Sequence, residues 1–140
     1  MKTLVTFFSA SGVTRRAAER LAKELGADLT EIRPAVPYSA ADLDWTKKTS
    51  RSSVEMADLA SRPNMELPDR NPEQYDELYI GFPVWWYTAP HIINTFVEHY
   101  RLGGKRIHLF ATSGGSSPDK ALRDLRGLYP DLDFVDAKLM

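Results

Sequence analysis

Short apolar segments and amphipathic segments alternate along the chain. Five segments are rich in β-branched and aromatic residues and end at Gly, Pro or small polar residues; they span 4–8, 28–32, 78–82, 107–111 and 134–139. Segments of this composition predict β-strands, and those without a polar face are typical of parallel strands that are covered on both sides.

The segments between these strands have helical periodicity. Over 13–25, apolar residues recur at every fourth position and charged residues occupy the opposite face. Gly26 follows, where a left-handed helix end is expected. Pro90 and Ser117 stand at the beginnings of two further segments that have an apolar helical face. Strand and helix therefore alternate along most of the chain.

This alternation predicts a doubly wound α/β fold, in which right-handed crossovers place helices on both faces of a five-stranded parallel sheet. We expect a single three-layer domain over residues 1–140, because chains of ~100–200 residues usually close around one core. No helical pattern follows the fifth strand, so the final helix of such a fold is expected to be absent. An uncovered apolar sheet face would then favour a homo-oligomer.

A long irregular crossover lies at about 34–75 and exceeds what one connecting helix requires. Only 52–60 has a helical pattern, with a Ser and a Glu spaced as in a capping box. Long connections in small domains often have a function. We hypothesise that the crossover closes over a bound ligand, with Trp45 and Arg51 in contact with a substrate. The alternative is a structural wrap that is held by its aromatic residues.

Composition excludes several classes of protein. The chain is 43% hydrophobic, which is too apolar for intrinsic disorder, and its 18 basic and 19 acidic residues leave no excess of positive charge for nucleic acid. The absence of cysteine excludes disulfides, thiolate catalysis, iron–sulfur clusters and cysteine zinc sites. The apolar run at the N-terminus is too short for a signal peptide or a membrane span, so we expect a cytoplasmic protein with no membrane partner.

Three loops follow predicted strands, at the carboxyl ends where open parallel sheets bind ligands. The phosphate loop (9–14) has three hydroxyl side chains and a glycine before a helix, whose free N–H groups favour phosphate; plain N-capping would need only one hydroxyl. The aromatic loop (83–90) has three consecutive aromatic residues between prolines, which favours a flat ligand ring. The third loop (111–117) is rich in Gly and Ser, so its backbone can approach a ligand closely.

Known nucleotide fingerprints are missing from these loops. No lysine follows Gly12, as a P-loop requires, and the chain contains no G-x-G-x-x-G motif. The three histidines lack the spacing of metal ligands and are expected to be packing or surface residues, so no metal site is predicted. A mononucleotide with a flat heterocycle fits the three loops better.

The three loops resemble, in type and in order, those of the flavodoxin-like FMN-binding proteins, and the resemblance extends from residue 1 to about 134. The first loop matches the family's [ST]-x-[ST]-G-x-T phosphate motif, the second its aromatic loop at the flavin ring, and the third its third flavin loop. The family implies strand order 2-1-3-4-5 and a non-covalently bound FMN. It implies that Ser9, Ala10, Ser11, Gly12, Val13 and Thr14 hold the phosphate, that Pro83, Val84, Trp85, Trp86 and Tyr87 enclose the isoalloxazine, and that Thr112, Ser113, Gly114 and Gly115 border its pyrimidine edge.

The resemblance implies a redox protein that transfers electrons through FMN, with a partner protein or a small electron donor or acceptor. The chemistry would lie on the flavin, so no side chain is expected to be catalytic. One alternative is an FMN-dependent NAD(P)H:quinone-type oxidoreductase, and another is a flavin- or nucleotide-binding module without redox chemistry. Dedicated flavodoxin carriers tend to be strongly acidic, whereas this chain has a formal charge of −1, so carrier and enzyme both stay open.

Overall fold

Five parallel strands form one sheet in the order β2-β1-β3-β4-β5 in the computed structural model, which describes residues 2–113 and 115–140. The strands are β1 (Thr3–Phe7), β2 (Asp28–Glu31), β3 (Glu77–Pro83), β4 (Arg106–Thr112) and β5 (Asp133–Leu139). The helices are α1 (Val13–Leu25), α2 (Arg51–Ala57), α3 (His91–His99) and α4 (Asp119–Leu128). The predicted doubly wound α/β fold and its strand order are confirmed.

Alternate residues of the central strands face two different layers of helices. In β3, Leu78, Ile80 and Phe82 pack into a core with the apolar residues of α3 and α4. Tyr79 of the same strand faces a smaller core, which contains the alanines of α1. Because side chains of a strand alternate between faces, a strand that is apolar at nearly every position is buried on both sides, as the sequence predicted.

Gly81 makes room for a large ring in the core beside α1. A Cβ atom built on Gly81 would lie 2.2 Å from the Phe110 side chain, and that ring is almost completely buried. The carbonyl of Gly81 accepts a hydrogen bond from the backbone N–H of Phe8 at 2.9 Å. A side chain at this position is therefore incompatible with the packing of the central strands.

Helix α2 differs from its predicted form. It spans Arg51–Ala57 rather than 52–60, and the cap is Ser50, whose side chain accepts from the N–H of Ser53. The predicted capping box of Ser52 and Glu55 is wrong, because the carboxylate of Glu55 binds side chains of the crossover instead.

The end of α2 has a local cause. The Ser61 hydroxyl donates to the carbonyl oxygen of Glu55 at 2.7 Å. The backbone N–H of Ser61 donates to the carbonyl oxygen of Asp58 at 3.0 Å. These bonds turn the chain away from the helix axis after Ala57.

The sheet face at β4 and β5, on the side of α1, is polar except for the buried ring of Phe110. His108 lies between two carboxylates, with Nε2 at 2.8 Å from Glu77 and Nδ1 at 2.9 Å from Asp136. Its ring stacks on Tyr79 with 4.5 Å between centroids. This face is therefore not the exposed apolar surface from which a homo-oligomer was expected. Self-association remains a prediction without that support.

We predict opposite effects on stability for alanine at two glycines. Gly81→Ala forces the Phe110 ring to move and should lower the free energy of unfolding by roughly 1–3 kcal/mol. Gly127→Ala, in α4 with open space around its Cβ position, should raise it by roughly 0.5–1 kcal/mol, because alanine loses less backbone entropy in a helix. Urea denaturation measures both, and a Gly81→Ala protein as stable as the parent would contradict the packing described.

Candidate functional site

Side-chain and backbone hydrogen bonds connect the three loops at the carboxyl edge of the sheet. The hydroxyls of Thr14 and Thr112 are buried and lie 2.7 Å apart, which joins the phosphate loop to the third loop. The N–H of Val84 donates to the carbonyl oxygen of Thr112 at 3.0 Å, which joins the third loop to the aromatic loop. The structure thus brings together the loops that the sequence singled out.

Two of the three hydroxyls in the phosphate loop have partners within the protein. The Ser9 oxygen accepts from the N–H groups of Gly12 and Arg15, at 3.0 and 3.2 Å, and so caps α1. Thr14 is bound to Thr112 as described. N-capping therefore accounts for one hydroxyl, that of Ser9, as expected, and Thr14 has a tertiary partner instead. Ser11 is the hydroxyl of this loop that lines the cavity beside the aromatic loop.

The backbone of the phosphate loop is open to an anion. Gly12 precedes α1 with φ at +95°, in the left-handed region that favours glycine. Among the described residues no acceptor bonds the N–H groups of Val13 and Thr14, which begin the helix. Free N–H groups at the start of a 13-residue helix carry partial positive charge.

A cation that sequence reasoning missed lies beside this loop. The Arg16 guanidinium is 3.4 Å from the position that a Cβ on Gly12 would occupy, and it makes no ion pair within the described part of the chain. Arg15, its neighbour, is paired with Glu31 at 2.7 Å. Both arginines lie on the charged face of α1, so the sequence pattern could not distinguish them.

The aromatic loop makes a two-residue turn with unusual backbone geometry. Trp85 and Thr88 exchange backbone hydrogen bonds of 2.9 and 3.0 Å, and the two residues between them, Trp86 and Tyr87, have φ values of +49° and +66°. Such turns favour Asn and Gly, and large side chains rarely adopt positive φ. The turn leaves Trp86 43% exposed and Tyr87 68% exposed. Backbone strain that exposes two aromatic rings is typical of a functional site.

Trp85 has a different role from its two neighbours. Its ring makes edge-on contacts with Phe8 and Tyr38, and all three centroid distances in this aromatic cluster are between 5.4 and 5.6 Å. Trp85 therefore packs into the protein, whereas Trp86 and Tyr87 extend from it.

Arg51 holds the crossover in place through contacts with Tyr38 and Glu55. Its guanidinium lies 3.8 Å from the centre of the Tyr38 ring and 3.1 Å from the carboxylate of Glu55. The Tyr38 hydroxyl donates to Glu55 at 2.5 Å, and burial together with this bond raises the pKa of Tyr38 well above its usual value. Of the two residues that were expected to contact a substrate, Arg51 is thus occupied within the crossover.

A cavity of about 630 Å³ lies against the aromatic loop, which is within the ~300–1,000 Å³ usual for ligand sites. We call it the aromatic cavity. Its walls come from the phosphate loop, the crossover, the aromatic loop and the third loop. The lining residues are Ala10, Ser11, Leu43, Trp45, Ser52, Pro83, Val84, Trp85, Trp86, Tyr87 and Ser116. Trp45, which is 74% exposed, is therefore placed where the hypothesis of a closing crossover requires.

The third loop is held by its own hydrogen bonds. The Ser113 hydroxyl donates to the carbonyl of Ser116 at 2.8 Å and accepts from the N–H of Gly115 at 3.1 Å. Gly115 has φ at +143°. Gly114, also predicted to contact the cofactor, lies outside the described residues. Ser116, which the resemblance did not assign, is the one described residue of this loop that lines the cavity.

A second opening, the α3–α4 groove, lies on the other side of Trp86. Its volume is about 560 Å³, and it is mainly apolar. His91 and Asn94 of α3 are its buried polar residues, and Lys120 and Arg123 of α4 stand at its wall. Trp86 lines both the groove and the aromatic cavity. No sequence pattern indicated this groove, because its residues come from separate elements.

Residues 2–113 and 115–140 contain neither a candidate metal cluster nor a candidate membrane span. No cluster of three His, Asp or Glu side chains there has a geometry able to bind a metal ion. No helix in the same residues has the length and apolar character needed to cross a membrane.

The chain matches the flavodoxin family model over residues 2–140. Two crystallised candidate flavoproteins are close in sequence and structure. The protein from Bacteroides uniformis is 48% identical with a TM-score of 0.95, covering 99% of this chain and 88% of its own. The one from Bacteroides eggerthii is 49% identical with a TM-score of 0.94, covering 99% and 87%.

A more distant flavoprotein from Lactobacillus acidophilus, crystallised in complex with FMN, is 23% identical with a TM-score of 0.80 and covers 99% of this chain and 92% of its own. None of the curated proteins that were compared matches the chain. The strand order and the helices on both faces of the sheet define a doubly wound α/β protein, and the family model narrows this class to one family. The chain belongs to the flavodoxin family.

His91 should make stability depend on pH. Burial, with the nearby Arg62 charge as a further cause, lowers the pKa of His91 from its usual 6.5. The unfolded chain then binds the proton more readily, so the contribution of His91 is complete above pH 6.5 and is lost as the pH falls below it. We expect the free energy of unfolding to fall more steeply from pH 7.5 to pH 5.5 in the parent than in His91→Gln. Equal slopes in urea denaturation would contradict a neutral, buried His91.

Proposed function

We propose that this protein binds FMN without a covalent link and transfers electrons through it. The observation that carries the proposal is the convergence of three different kinds of group at one sheet edge: free N–H groups, exposed aromatic rings and a glycine-rich backbone. An FMN molecule has a phosphate, a flat ring and a polar ring edge, so each kind of group has a counterpart in it.

The phosphate loop suits a dianionic phosphate. The N–H groups of Val13 and Thr14 would donate to its oxygens, Ser11 would add a hydroxyl, and Arg16 would supply a full positive charge. Ser9 would contribute indirectly, because it fixes the beginning of α1. Thr14 would also connect the phosphate loop to the third loop, because its hydroxyl bonds Thr112.

The aromatic cavity suits the isoalloxazine ring. Trp86 and Tyr87 would cover one part of the ring, and Trp45 of the crossover would cover another, so that water is kept from it. Trp85 would position the loop rather than stack, because its ring is packed against Phe8 and Tyr38. The third loop, with Ser113 and Gly115, would border the pyrimidine edge.

Bound FMN would supply the redox chemistry, and the protein would supply binding, orientation and the exclusion of water. The described side chains include no candidate acid or base in the aromatic cavity, whose polar lining consists of serines and the aromatic hydroxyl and indole groups. The FMN complex of the Lactobacillus protein, which has the same fold, supports the choice of cofactor. Electron transport with a partner protein or a small molecule is the function that this site favours.

A second candidate function is an FMN-dependent oxidoreductase for a small organic electron acceptor. The α3–α4 groove favours it, because the groove is mainly apolar and shares Trp86 with the aromatic cavity. An aromatic acceptor such as a quinone would suit these walls. Arg123 would favour an anionic one, whereas Lys120 is already paired with Asp124 of the same groove at 2.7 Å. A carrier that only meets a partner protein does not need an apolar groove of this volume.

Substitutions at two glycines with positive φ, one of them in the phosphate loop, test the role of that loop. Gly12→Ala and Gly26→Ala both force alanine into positive φ, at the beginning and at the end of α1. Both should destabilise the protein by about 1–2 kcal/mol. Only Gly12→Ala should weaken FMN binding, by about tenfold or more, which corresponds to a free-energy loss of about 1.4 kcal/mol or more. Fluorescence titration with FMN and with riboflavin, which lacks the phosphate, measures the effect.

Riboflavin affinity should change little in Gly12→Ala, because the altered loop serves the phosphate. Equal FMN affinity of parent, Gly12→Ala and Gly26→Ala would refute the assigned phosphate site, and a parent protein without FMN binding would refute the proposed function.

Carrier and oxidoreductase differ in turnover. If the protein is a carrier, photoreduction should proceed in two resolved one-electron steps, and NAD(P)H with a quinone should give no turnover. If it is an oxidoreductase, NAD(P)H should reduce the flavin directly, and Leu59→Asp in the apolar wall of the α3–α4 groove should lower quinone turnover without affecting FMN affinity. Stopped-flow absorbance of the loaded protein separates the two.

A further inference from the structure

Two polar side chains of α3 line the α3–α4 groove and are more than nine-tenths buried. His91 is 8% exposed and Asn94 is 4% exposed, and their spacing along α3 places them on one face of the helix. Each bonds the rest of the protein through one nitrogen, Nδ1 in His91 and Nδ2 in Asn94. The second polar atom of each side chain is therefore the one to consider.

These second atoms, His91 Nε2 and Asn94 Oδ1, make no hydrogen bond within the described part of the chain. They also differ from the inaccessible side-chain atoms without a partner, which over the same residues belong to Thr30 and Ser52. Both atoms therefore keep some accessible surface. Since both residues line the α3–α4 groove, that surface is open to a molecule bound there.

The hydrogen bonds of Ser61 decide which nitrogen of His91 carries the proton. The Ser61 hydroxyl has one hydrogen and donates it to the carbonyl oxygen of Glu55 at 2.7 Å. Its oxygen therefore accepts from His91 Nδ1, which is 2.6 Å away. Burial lowers the pKa of His91, so the neutral ring is present at neutral pH. A neutral imidazole has a single N–H, so Nε2 is an acceptor.

The Tyr129 hydroxyl fixes the amide of Asn94 in the same way. It donates its hydrogen to the carboxylate of Glu98, which is also paired with Arg62 at 2.9 Å. The Tyr129 oxygen therefore accepts from Asn94 Nδ2 at 3.1 Å, and Oδ1 is the amide atom left over. The groove thus has two neighbouring acceptors, and the protein enforces the orientation of both.

The remaining groups of the groove limit what these acceptors could bind. Two side-chain donors are already used, because the Thr88 hydroxyl and the Lys120 ammonium both bond Asp124 at 2.7 Å. Lys120 and Arg123 together outweigh the charge of Asp124, which disfavours a cationic ligand. The rest of the lining is mainly apolar and includes the ring of Trp86. A matching ligand is flat, apolar and uncharged, with hydrogen-bond donors on one edge.

We propose that the α3–α4 groove binds an aromatic ring with two hydroxyl groups, which donate to His91 Nε2 and Asn94 Oδ1. Hydroxyl groups are neutral donors, so they suit the charge of the groove as well as its acceptors. The oxygens of a quinone only accept, so the quinone form of the same ring would set acceptor against acceptor. The groove therefore selects the reduced form. This inference goes beyond the proposed function, because binding in the groove does not require FMN.

The experiment titrates the protein, with and without FMN, with catechol and with its dimethyl ether, veratrole, in a calorimeter. Veratrole has the same ring and oxygens but no donor. Catechol should bind about tenfold more tightly or better, because veratrole leaves both acceptors without a partner. In nitrogen NMR spectra, catechol should shift the signal of the unprotonated Nε2 of His91 and veratrole should not.

Two substitutions in the groove form a matched pair. Asn94→Leu removes an acceptor at similar volume, and Thr88→Val removes a hydroxyl that is already bonded to Asp124. Asn94→Leu should weaken catechol by about three- to tenfold and leave veratrole unchanged. Thr88→Val should leave the affinity for both compounds as it is in the parent.

The proposal is overturned if the parent binds neither compound or binds veratrole as tightly as catechol. Loss of catechol binding when FMN is present would place catechol in the aromatic cavity, which also overturns it, as would an equal effect of Asn94→Leu on both compounds. A protein that binds catechol but not FMN would refute only the proposed function. One that binds FMN but not catechol would refute only this inference.

Discussion

The edge-on contact of three aromatic rings, Phe8, Tyr38 and Trp85, is the constraint on which the site depends. Phe8 follows β1, Tyr38 belongs to the crossover, and Trp85 begins the turn of the aromatic loop, so one cluster fixes three chain segments that are far apart in sequence. Arg51 and Glu55 secure the Tyr38 side of the cluster from α2. Trp45 and Ser52 reach the aromatic cavity because the crossover is anchored in this way.

The fold was predictable because it rests on local patterns. Strands such as β3 are apolar on both faces, and α1 has one apolar face and a glycine at its end. The spacing of apolar residues and the residues that end each segment were therefore sufficient to predict the order of strands and helices. The predictions were wrong where two neighbouring residues could both take the same local role. Ser50 and Ser52 are both able to cap a helix, and the choice was decided by Glu55, whose carboxylate binds Tyr38 and Arg51 across the crossover.

The candidate site was predictable at the level of loops but not of individual groups. The phosphate loop has three hydroxyls in sequence, yet the partners of Ser9 and Thr14 are set by the start of α1 and by Thr112, almost a hundred positions later. Likewise, three consecutive aromatic residues give no indication of which is packed and which is exposed. That division follows from the two-residue turn, whose positive φ at Trp86 is imposed by the surrounding structure.

The crossover turns the open carboxyl edge of the sheet into a walled cavity. A crystal structure of the protein with FMN tests this arrangement most directly. We predict the phosphate on the N–H groups of Val13 and Thr14, with the ring in the aromatic cavity among Trp45, Trp86 and Tyr87. A ring bound in the α3–α4 groove, or a crossover that leaves the ring uncovered, would contradict it.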